Sequence, residues 1–369
     1  MEVDSTQNEY FTSYEDLEVH RLMLEDHPRT EAYKNAIFAN KAYLKDKIVM
    51  DVGCGTGILS IFCAQAGAKK VYAVEASNLA NLAKEVVKEN NFENVIEVIH
   101  SRVEDVVLPG NIKVDAIVSE WMGFYLFHEG MLDSVFVARD KFLKEDGRMF
   151  PETATVYIAP CSIPSLYKSW DDMYGVKMST FANHLRSSKS NKPEILVVEP
   201  QDILGPEEAL CWIDLRQFHS EDVNHFEIEH VVAAKKKGAY QGLCLWFDCV
   251  FPDVVADDNY ISLSTGPRDP PTHWKQTVIV LPQEQEVEVD EPIAFKLDMT
   301  RDTNSGRRYN LQLEMLDPEA ITHPIGCSCH LTKCILINEY MKNHPEQHGD
   351  SAAVNNCIIE EDVIDDDDG

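Results

Sequence analysis

Two glutamates, Glu120 and Glu129, stand in a stretch rich in aromatic residues and glycine, SEWMGFYLFHEGM from Ser119 to Met131. Ionised carboxylates among aromatic side chains are costly unless a cation or hydrogen-bond donors meet them. Two acids held close together suit a guanidinium, because its planar fork of donors can pair with both. The alternative is a solvated Glu120 and a Glu129 that begins the following helix, and this stretch alone leaves both interpretations open.

A glycine-rich turn, DVGCGTG from Asp51 to Gly57, follows a predicted strand. Gly53 and Gly55 allow the backbone to approach a ligand closely at the carboxyl end of that strand. The GxGxG spacing differs from the GxGxxG of dinucleotide folds, and no Lys-Ser or Lys-Thr pair of a phosphate loop follows. Asp51, ahead of the glycines, is placed to meet a ligand's ammonium group, directly or through water.

Two further acids follow predicted strands. Glu75 lies about twenty residues after the glycines, where an acid accepts hydrogen bonds from both hydroxyls of a ribose. Glu104 lies after the next strand and is placed to contact an adenine amino group. A cationic, ribose-bearing cofactor without phosphates suits this set, which predicts S-adenosylmethionine. A tight turn that binds no ligand is the alternative for the glycines.

These residues need a parallel sheet, because the carboxyl ends of its strands share one edge. Between residues 41 and 150 strands and helices alternate, which is the order that gives right-handed crossovers. Residues 10–40 have helical periodicity and are expected to cover the cofactor. The predicted strands are Ile48–Val52, Val71–Glu75, Val95–Ile99 and Val114–Ser119, and the predicted helices are Ile58–Ala66, Asn78–Asn91 and one from Met131 that ends at Asp146 and Gly147.

After Pro151 the pattern changes to short alternating strands, which predicts an antiparallel β-barrel or sandwich. Three lysines and a glycine at 235–238 predict a hairpin turn within it. The expected fold class is therefore α/β, with a Rossmann-like domain followed by an antiparallel domain that is a β-barrel or a sandwich; the resemblance described below implies the β-barrel. The expected segments are a disordered leader at 1–9, helices at 10–40, the cofactor-binding domain at 41–150, the barrel domain at 151–340 with a helical, polar insertion at about 162–200, and an acidic disordered tail at 341–369.

Composition limits the partners. With 63 acidic and 33 basic residues the formal charge is −30, which disfavours direct binding of nucleic acid and favours a cationic partner. Acidity that serves solubility alone is the alternative. The sequence has no signal-peptide core and no run of about 18 apolar residues. We therefore expect an intracellular soluble protein without a membrane partner, located in the cytoplasm, the nucleus or both.

Ten cysteines in such a protein are expected to be thiols. The densest group combines Cys327, Cys329 and Cys334 with His323 and His330. A zinc site is the alternative for this group, but its spacing contains no CxxC ligand pair. Alternation along a strand accounts better for Cys327 and Cys329, so the sequence favours no metal site.

Several motifs in the same order give the chain a resemblance to the protein arginine methyltransferases, from roughly Tyr10 to Cys334. The motifs are YFTSY (Tyr10 to Tyr14), VMDVGCGTG (Val49 to Gly57), AVE ending at Glu75, VED (Val103 to Asp105), SEWMG with its second acid at Glu129, and THW (Thr272 to Trp274). The resemblance implies a type I-like enzyme that uses S-adenosylmethionine, releases S-adenosylhomocysteine, and gives mono- and asymmetric dimethylarginine.

The resemblance also implies partners. The insertion at 162–200 would be an arm that docks on a second subunit, giving a head-to-tail homodimer. Substrates would be basic or Gly/Arg-rich proteins, such as RNA-binding proteins or histones, for which a charge of −30 is a plausible attractor.

The resemblance also implies roles for single residues. Glu120 and Glu129 match the paired acids that grip the substrate guanidinium. The candidates for the proton acceptor are one of these acids and His273, paired with Asp26. Arg29 is suited to the methionine carboxylate, and Met23 and Met131 match methionines that bound the site in enzymes making asymmetric dimethylarginine. The cofactor-binding candidates are His20, Arg29, Asp51, Gly53, Gly55, Glu75, Glu104 and Met131, the substrate-side candidates are Tyr14, Met23 and Trp274, and the supporting candidates are Asp26 and Tyr10.

The chain departs from the family pattern in three places. Gly130 stands where a serine is common, Phe124 replaces a frequent tyrosine, and the arm is a few residues longer around Ser187 to Pro193. Two other functions stay open. An enzyme that methylates a small molecule or nucleic acid would explain the glycine turn but not the paired acids with THW. A catalytically weak paralogue would keep the fold as a binding or heterodimerising scaffold.

Overall fold

The computed structural model describes residues 16–167, 170, 172–254, 260–303 and 305–344. The predicted leader, Tyr10 and Tyr14, and the tail beyond residue 344 lie outside this part of the chain. Its first helices are Leu17–Glu25 and His27–Ala39, and the Asp26 carboxylate caps the second by accepting the backbone N–H of Arg29 at 3.1 Å. No helix in the described ranges combines the length and the apolarity that crossing a bilayer requires.

The first half contains a parallel sheet, as predicted from the alternation of strands and helices, and its strand order is β3-β2-β1-β4-β5. Strand β4, which lies beside the central strand β1, is buried along its whole length, the pattern of a sheet covered on both faces. The strand order reverses between β1 and β4, and ligands bind at such points in open α/β sheets. The strands are β1 (Ile48–Val52), β2 (Lys70–Glu75), β3 (Ile96–His100), β4 (Val114–Val118) and β5 (Leu143–Phe150), and the helices are Lys41–Leu44, Ile58–Gln65, Leu79–Glu89 and Leu132–Phe142.

The helix predicted to run from Met131 to Asp146 and Gly147 is shorter than expected. It ends at Phe142, and the chain continues directly into β5. Leu143 pairs with Val114 and the next pair is Arg148 with Ala116, so the intervening residues form an irregularity in the strand. The prediction of a helix stop at Asp146 and Gly147 is therefore wrong. Burial of the β5 end at the sheet edge, with Met149 and Phe150 each 1% exposed, outweighs the local helix signal.

The second half consists of two antiparallel sheets. The larger has the order β7-β12-β10-β6-β8 with β11 beside β10, and the smaller has the order β14-β13-β9. Alternate residues of β10 enter different apolar clusters: Leu245 and Phe247 pack in the core shared with the first half, and Cys244 and Trp246 pack on the other face. The strands are β6 (Thr153–Cys161), β7 (Glu194–Leu196), β8 (Glu208–Asp214), β9 (His225–Ala233), β10 (Gly238–Val250), β11 (Ser262–Ser264), β12 (Gln276–Val287), β13 (Pro292–Arg301) and β14 (Tyr309–Met315).

Two local predictions in this half are wrong, the hairpin at 235–238 and the strand at Cys327 and Cys329. Residues 235–238 are not a hairpin turn, because β9 pairs with β13 while β10 pairs with β6 and β12, so the turn passes from one sheet to the other. The insertion at 162–200 holds two helices, Pro164–Tyr167 and Ser179–Lys189, in agreement with its predicted helical character, and β7 at its end joins the larger sheet. Cys327 and Cys329 lie in a loop, so strand alternation does not explain their spacing.

The last described element is the helix Thr332–Asn343, which extends into the first residues of the range predicted as a disordered tail.

Candidate active site

The carboxyl ends of β1, β2 and β4, the first two helices and the THW segment surround a cavity of about 380 Å³. This volume is typical of cofactor sites, and the cavity lies where the strand order reverses. Most of the predicted site residues line it, whereas Asp26 and Asp51 lie behind its wall. The predicted residues on the wall are His20, Met23, Arg29, Gly53, Gly55, Glu75, Glu104, Glu120, Glu129, Met131, His273 and Trp274.

The glycine turn holds the acid that follows β2. Gly53 and Gly55 have φ of +72° and +53°, which side-chain-bearing residues rarely adopt, and a Cβ at Gly53 would overlap the end of Met131. The backbone N–H of Gly55 donates to one oxygen of Glu75 at 3.0 Å, and that of Ser77 donates to the other at 2.8 Å. A carboxylate has about four acceptor sites. Glu75 is thus fixed and keeps capacity for ligand hydroxyls.

Asp51 is completely buried at the end of β1. Its Oδ2 accepts the hydroxyl of Ser60 at 2.6 Å, and its Oδ1 has no partner among the described residues. Burial raises the pKa of Asp51 to about 7, although the Ser60 hydrogen bond acts in the opposite direction. A buried acceptor without a donor is unusual in a folded protein and is often a mark of a ligand or water site. The predicted ammonium contact of Asp51 stays a prediction.

Glu104 lies at the far end of the cavity, in the short 3₁₀ helix Val103–Asp105. Its Oε1 accepts the hydroxyl of Ser134 at 2.7 Å. Ser134 belongs to the helix Leu132–Phe142 and also lines the cavity. The adenine-side candidate is therefore positioned by a residue that the sequence analysis did not single out.

The acid loop, residues 119–131, is a compact turn. Gly123 and Leu126 exchange backbone hydrogen bonds of 2.9 and 3.0 Å, and a Cβ at Gly123 would overlap the carbonyl of His128. Glu129 and Gly130 have φ of +81° and +63°. A residue other than glycine held at such an angle is typical of sites where the surroundings impose the backbone conformation.

The aromatic residues of the acid loop are buried against the barrel domain. Phe127 stacks on Phe226 of β9 with 5.0 Å between ring centroids. Tyr309 of β14 lies 5.7 Å from Phe127 and 6.4 Å from Tyr125. The aromatic composition that makes this loop unusual is therefore a core contact between the two domains, and the two acids lie on the cavity wall.

Glu120 is paired with Arg29. Its Oε2 accepts Nε and Nη2 of the guanidinium at 2.9 and 2.7 Å, and both side chains are only 8% exposed. Burial acts to lower the pKa of Arg29, but attraction to Glu120 raises it above the ordinary value, so the guanidinium stays charged. The other oxygen, Oε1, accepts the N–H of Met122 at 3.2 Å and has a lone pair for a further donor. The carboxylate thus already binds one guanidinium.

Glu129 is held through its backbone by Arg307, from the loop between β13 and β14. The N–H of Glu129 donates to the Arg307 carbonyl at 2.7 Å, and Nη1 of Arg307 donates to the Glu129 carbonyl at 2.6 Å. Its side chain is 25% exposed, three times the exposure of Glu120. The two acids therefore differ: Glu120 is enclosed by its ion pair, and the side chain of Glu129 is more exposed.

The THW segment supplies an imidazole and an indole. Asp26 Oδ2 accepts both the ring Nδ1–H and the backbone N–H of His273, at 2.6 and 2.8 Å. Although burial acts to raise the pKa of Asp26, the hydrogen bonds from His273 and from the Arg29 backbone lower it below the ordinary value. Trp274 is fixed by a 2.9 Å hydrogen bond from its Nε1 to the Met122 carbonyl. The predicted Asp26–His273 pair is present.

Three residues that lie in or beside the site were not singled out from the sequence. Arg307 is separated from Glu129 by 178 positions, and no local pattern connects them. Ser134 resembles any polar helix residue. His128 lies inside the acid loop between Phe124 and Tyr125, with ring centroids 5.8 Å from each. Burial, with Arg308 nearby, lowers the pKa of His128, so its imidazole is neutral at neutral pH.

Two sequence profiles match the two halves of the chain. The profile of a ribosomal protein L11 methyltransferase matches residues 26–127, and that of the arginine methyltransferase oligomerization subdomain matches residues 152–316. Together with the parallel sheet and its cavity, these matches define the class: a methyltransferase domain joined to an oligomerization domain.

Individual relatives narrow this class. The chain is 38% identical to the probable protein arginine N-methyltransferase 6.1 of Oryza sativa subsp. japonica, over 83% of this chain and 84% of that protein. It is 42% identical to protein arginine N-methyltransferase 6 of Xenopus tropicalis, over 77% of this chain and 84% of that protein. The chain belongs to the protein arginine N-methyltransferase family.

Solved structures agree with the assignment. The Trypanosoma brucei PRMT1 enzyme-prozyme heterotetrameric complex with AdoHcy has a TM-score of 0.74 and 34% identity, and covers 85% of this chain and 98% of that one. A PRMT6-SAH structure has a TM-score of 0.70 and 31% identity, and the match covers 82% of this chain and 100% of that one.

Proposed function

We propose that the protein transfers methyl groups from S-adenosylmethionine to guanidino nitrogens of arginine in other proteins. One observation carries this proposal: Glu120 and Glu129 line the same cavity as the glycine turn with Gly53 and Gly55. Two acids that suit a guanidinium are thereby beside a cofactor site. The interpretation in which Glu120 is solvated does not agree with its 8% exposure and its ion pair.

The residues present suit S-adenosylmethionine, which when bound supplies a methyl group activated by a sulfonium. Glu75 has acceptor capacity for ribose hydroxyls, and Glu104 lies where the adenine amino group is expected. The backbone at Gly53 and Gly55 carries no side chain that would exclude the ligand. His20 packs beside Gly55, and its ring atoms lie 3.6 Å from the position of a Cβ there. The proposed reaction uses no metal ion.

The two acids would prepare the acceptor nitrogen. A guanidinium is a poor nucleophile because its charge and lone pairs are delocalised. Carboxylates on one edge localise positive charge on the nitrogens that they contact and leave another nitrogen toward the methyl group. Holding the groups in line contributes through proximity, and the acids stabilise the charge that develops.

The proton released by the acceptor needs a base. Because Nδ1–H of His273 donates to Asp26, the neutral imidazole carries its lone pair on Nε2. His273 lines the cavity, so it and Glu129 are the two candidates for that base. Trp274 closes the wall beside His273, with 4.0 Å between the ring centroids.

We also propose an asymmetric dimethylarginine product and a homodimer. Met23 and Met131 both line the cavity, as expected for a type I-like enzyme. The chain carries the oligomerization subdomain, and the insertion exposes apolar side chains, with Tyr174 98% and Val176 56% exposed.

Substrates would be basic or Gly/Arg-rich proteins, among them RNA-binding proteins or histones, and the enzyme would act in the cytoplasm, the nucleus or both.

A radiolabelled methyl-transfer assay tests the proposal. A Gly/Arg-rich peptide and a matched peptide with lysine in place of arginine are incubated with the enzyme, and mass and chromatography identify the product. We expect labelling of the arginine peptide alone, with asymmetric dimethylarginine as the final product. Glu120→Gln and Glu129→Gln should each reduce turnover at least about a hundredfold, the scale of a lost electrostatic or acid–base group. Cofactor binding without labelling of either peptide would indicate a scaffold.

A further inference from the structure

We propose that His323, Cys327, Cys329 and Cys334 bind a zinc ion that fastens the C-terminal segment, residues 317–344, to the barrel domain. The Nδ1 atom of His323 lies 3.5, 3.4 and 3.1 Å from the Sγ atoms of Cys327, Cys329 and Cys334. The four atoms all lie within 4.8 Å of one another. This site is separate from the methyl-transfer cavity and does not depend on the function proposed for it.

The distances agree with tetrahedral coordination. With Zn–S of about 2.3 Å and Zn–N of about 2.05 Å, a regular tetrahedron places nitrogen about 3.6 Å from each sulfur and the sulfurs about 3.8 Å apart. The nitrogen–sulfur distances of 3.1 to 3.5 Å are slightly shorter than this. A shift of a few tenths of an ångström would admit the ion. Three cysteines with one histidine are an established set of ligands for structural zinc.

Direct hydrogen bonds explain the cluster poorly. A neutral imidazole has one acceptor nitrogen with one lone pair, so only one thiol can donate to it in full. Here three sulfur atoms converge on the same nitrogen. A disulfide would use two of the sulfurs and leave the third unexplained, and all three cysteines are free thiols in this structure. A cation at the centre gives every one of the four atoms a partner.

The surroundings orient His323 for this role. Its Nε2 lies 2.8 Å from the Pro318 carbonyl, so Nε2 carries the hydrogen and Nδ1 presents its lone pair to the sulfurs. Histidines that bind metals usually donate their other N–H in this manner. Lys333 fixes the same turn by donating to the carbonyls of Pro318, Glu319 and Ile321 at 2.8 to 3.1 Å.

The C-terminal segment needs such a fastening. Cys329 and Cys334 are the buried residues that it offers, and they pack with Ala233 at the end of β9. By contrast Leu336 is 64% exposed in its helix. Segments that bury so little apolar surface are ordinarily stabilised by a metal or another cross-link. With zinc the segment gains four strong bonds that a hydrophobic contact of this size does not provide.

Zinc is the metal that the donors favour. Thiolates with one imidazole in a tetrahedral arrangement select zinc over the harder cations, which prefer oxygen. Cys334 lies in the first turn of the helix Thr332–Asn343, so this helix begins at the four-residue cluster.

Metal analysis of the intact protein tests the site. Full-length protein purified without chelator should contain about one zinc per chain by mass spectrometry of the elements. Protein prepared with Co²⁺ in its place should show the visible absorption of a tetrahedral thiolate-bound cobalt ion. Removal of zinc with a strong chelator should accelerate proteolysis within residues 317–344 while methyl transfer and the far-UV spectrum change little.

Variants locate the ion. Cys327→Ser, Cys334→Ser and His323→Ala should each lose at least nine tenths of the zinc and of the cobalt absorption. The matched control is His330→Gln, which changes an exposed histidine in the same loop whose backbone, and not its ring, donates to Asp290. This variant should keep the full zinc content.

Three results would overturn the proposal. The first is a content below about a tenth of a zinc per chain in intact protein after growth in zinc-supplemented medium. The second is an equal zinc content in Cys334→Ser and in the unaltered protein. The third is a disulfide between two of the three cysteines in protein purified under reducing conditions. The cobalt spectrum is measured on the unaltered chain, so the test does not depend on the variants folding.

Discussion

Replacement of Arg29 by methionine tests whether Glu120 is as enclosed as the structure shows. The guanidinium donates two bonds to one carboxylate oxygen, and each side chain is 8% exposed. Opposite charges about 4 Å apart attract by about 4 kcal/mol at an effective dielectric constant near 20. Removing one partner of a buried pair leaves the other charge without compensation, which costs about 3–5 kcal/mol. We expect Arg29→Met to lower the free energy of unfolding by this amount.

A double-mutant cycle separates the pair from other effects of the substitution. Arg29→Met, Glu120→Gln and the double variant are unfolded in urea without cofactor, and Trp121 and Trp274 report the transition by fluorescence. Because the double variant leaves no lone charge, its loss of stability should be smaller than the sum of the two single losses by at least about 2 kcal/mol. The matched control is Arg21→Met, whose ion pairs with Glu18 and Glu25 are exposed, and which should leave the midpoint unchanged.

Additive losses, within about 0.5 kcal/mol, would refute the reasoning. Such a result would mean that Glu120 is solvated in solution, the interpretation that the sequence alone left open. The cycle is measured without substrate, so it is independent of any catalytic role of Glu120.

Three further predictions concern backbone strain and pH. Gly53→Ala should weaken S-adenosylmethionine binding at least tenfold in calorimetry, because its φ of +72° strains an alanine and its Cβ would displace the end of Met131, which lines the cavity. Gly110→Ala, with φ of +62° and open space around it, should cost only about 1–2 kcal/mol of stability and leave binding unchanged. Gly130→Ser should lower both turnover and the melting temperature, since φ is +63° and a Cβ would lie 3.0 Å from the Gly306 carbonyl; unchanged values would contradict this packing. The pKa of Asp51 is about 7 in the folded chain and about 3.9 unfolded, so the stability it contributes is present below about pH 4 and lost as pH rises through 7. The free energy of unfolding of Asp51→Asn, measured in urea relative to that of the unaltered protein, should therefore rise by about 2–3 kcal/mol from pH 5 to pH 8. A difference that stays constant over this range would show that Asp51 does not titrate there.

The parallel sheet and the glycine turn could be predicted because their signals are local. Alternating apolar runs mark β1 to β4, and Gly53 and Gly55 lie directly after a strand. The boundary at Phe142 could not be predicted in this way, because β5 exists through its pairing with β4, which lies elsewhere in the chain. The same reason explains the wrong hairpin at 235–238, since a turn signal does not reveal which strands pair.

The site was predictable as a set of residues and less so as a set of contacts. Glu120 and Glu129 are recognisable by type and spacing. The residues that bind them, Arg29 and Arg307, are 91 and 178 positions away. The cysteine group shows the opposite case. Cys327 and Cys334 were visible as a cluster, but their loop geometry, which decides whether they share one centre, appears only in three dimensions.

The contact of Phe127 with Phe226 has a consequence for how this protein can be divided. The acid loop belongs to the first domain by sequence, yet its aromatic side chains pack in a core that the second domain completes. Separating the two domains between residues 150 and 151 would expose those rings and release the loop that presents both glutamates. The two domains therefore depend on each other structurally. A chimaera with a relative has to exchange the loop together with the β9 and β14 surfaces beneath it.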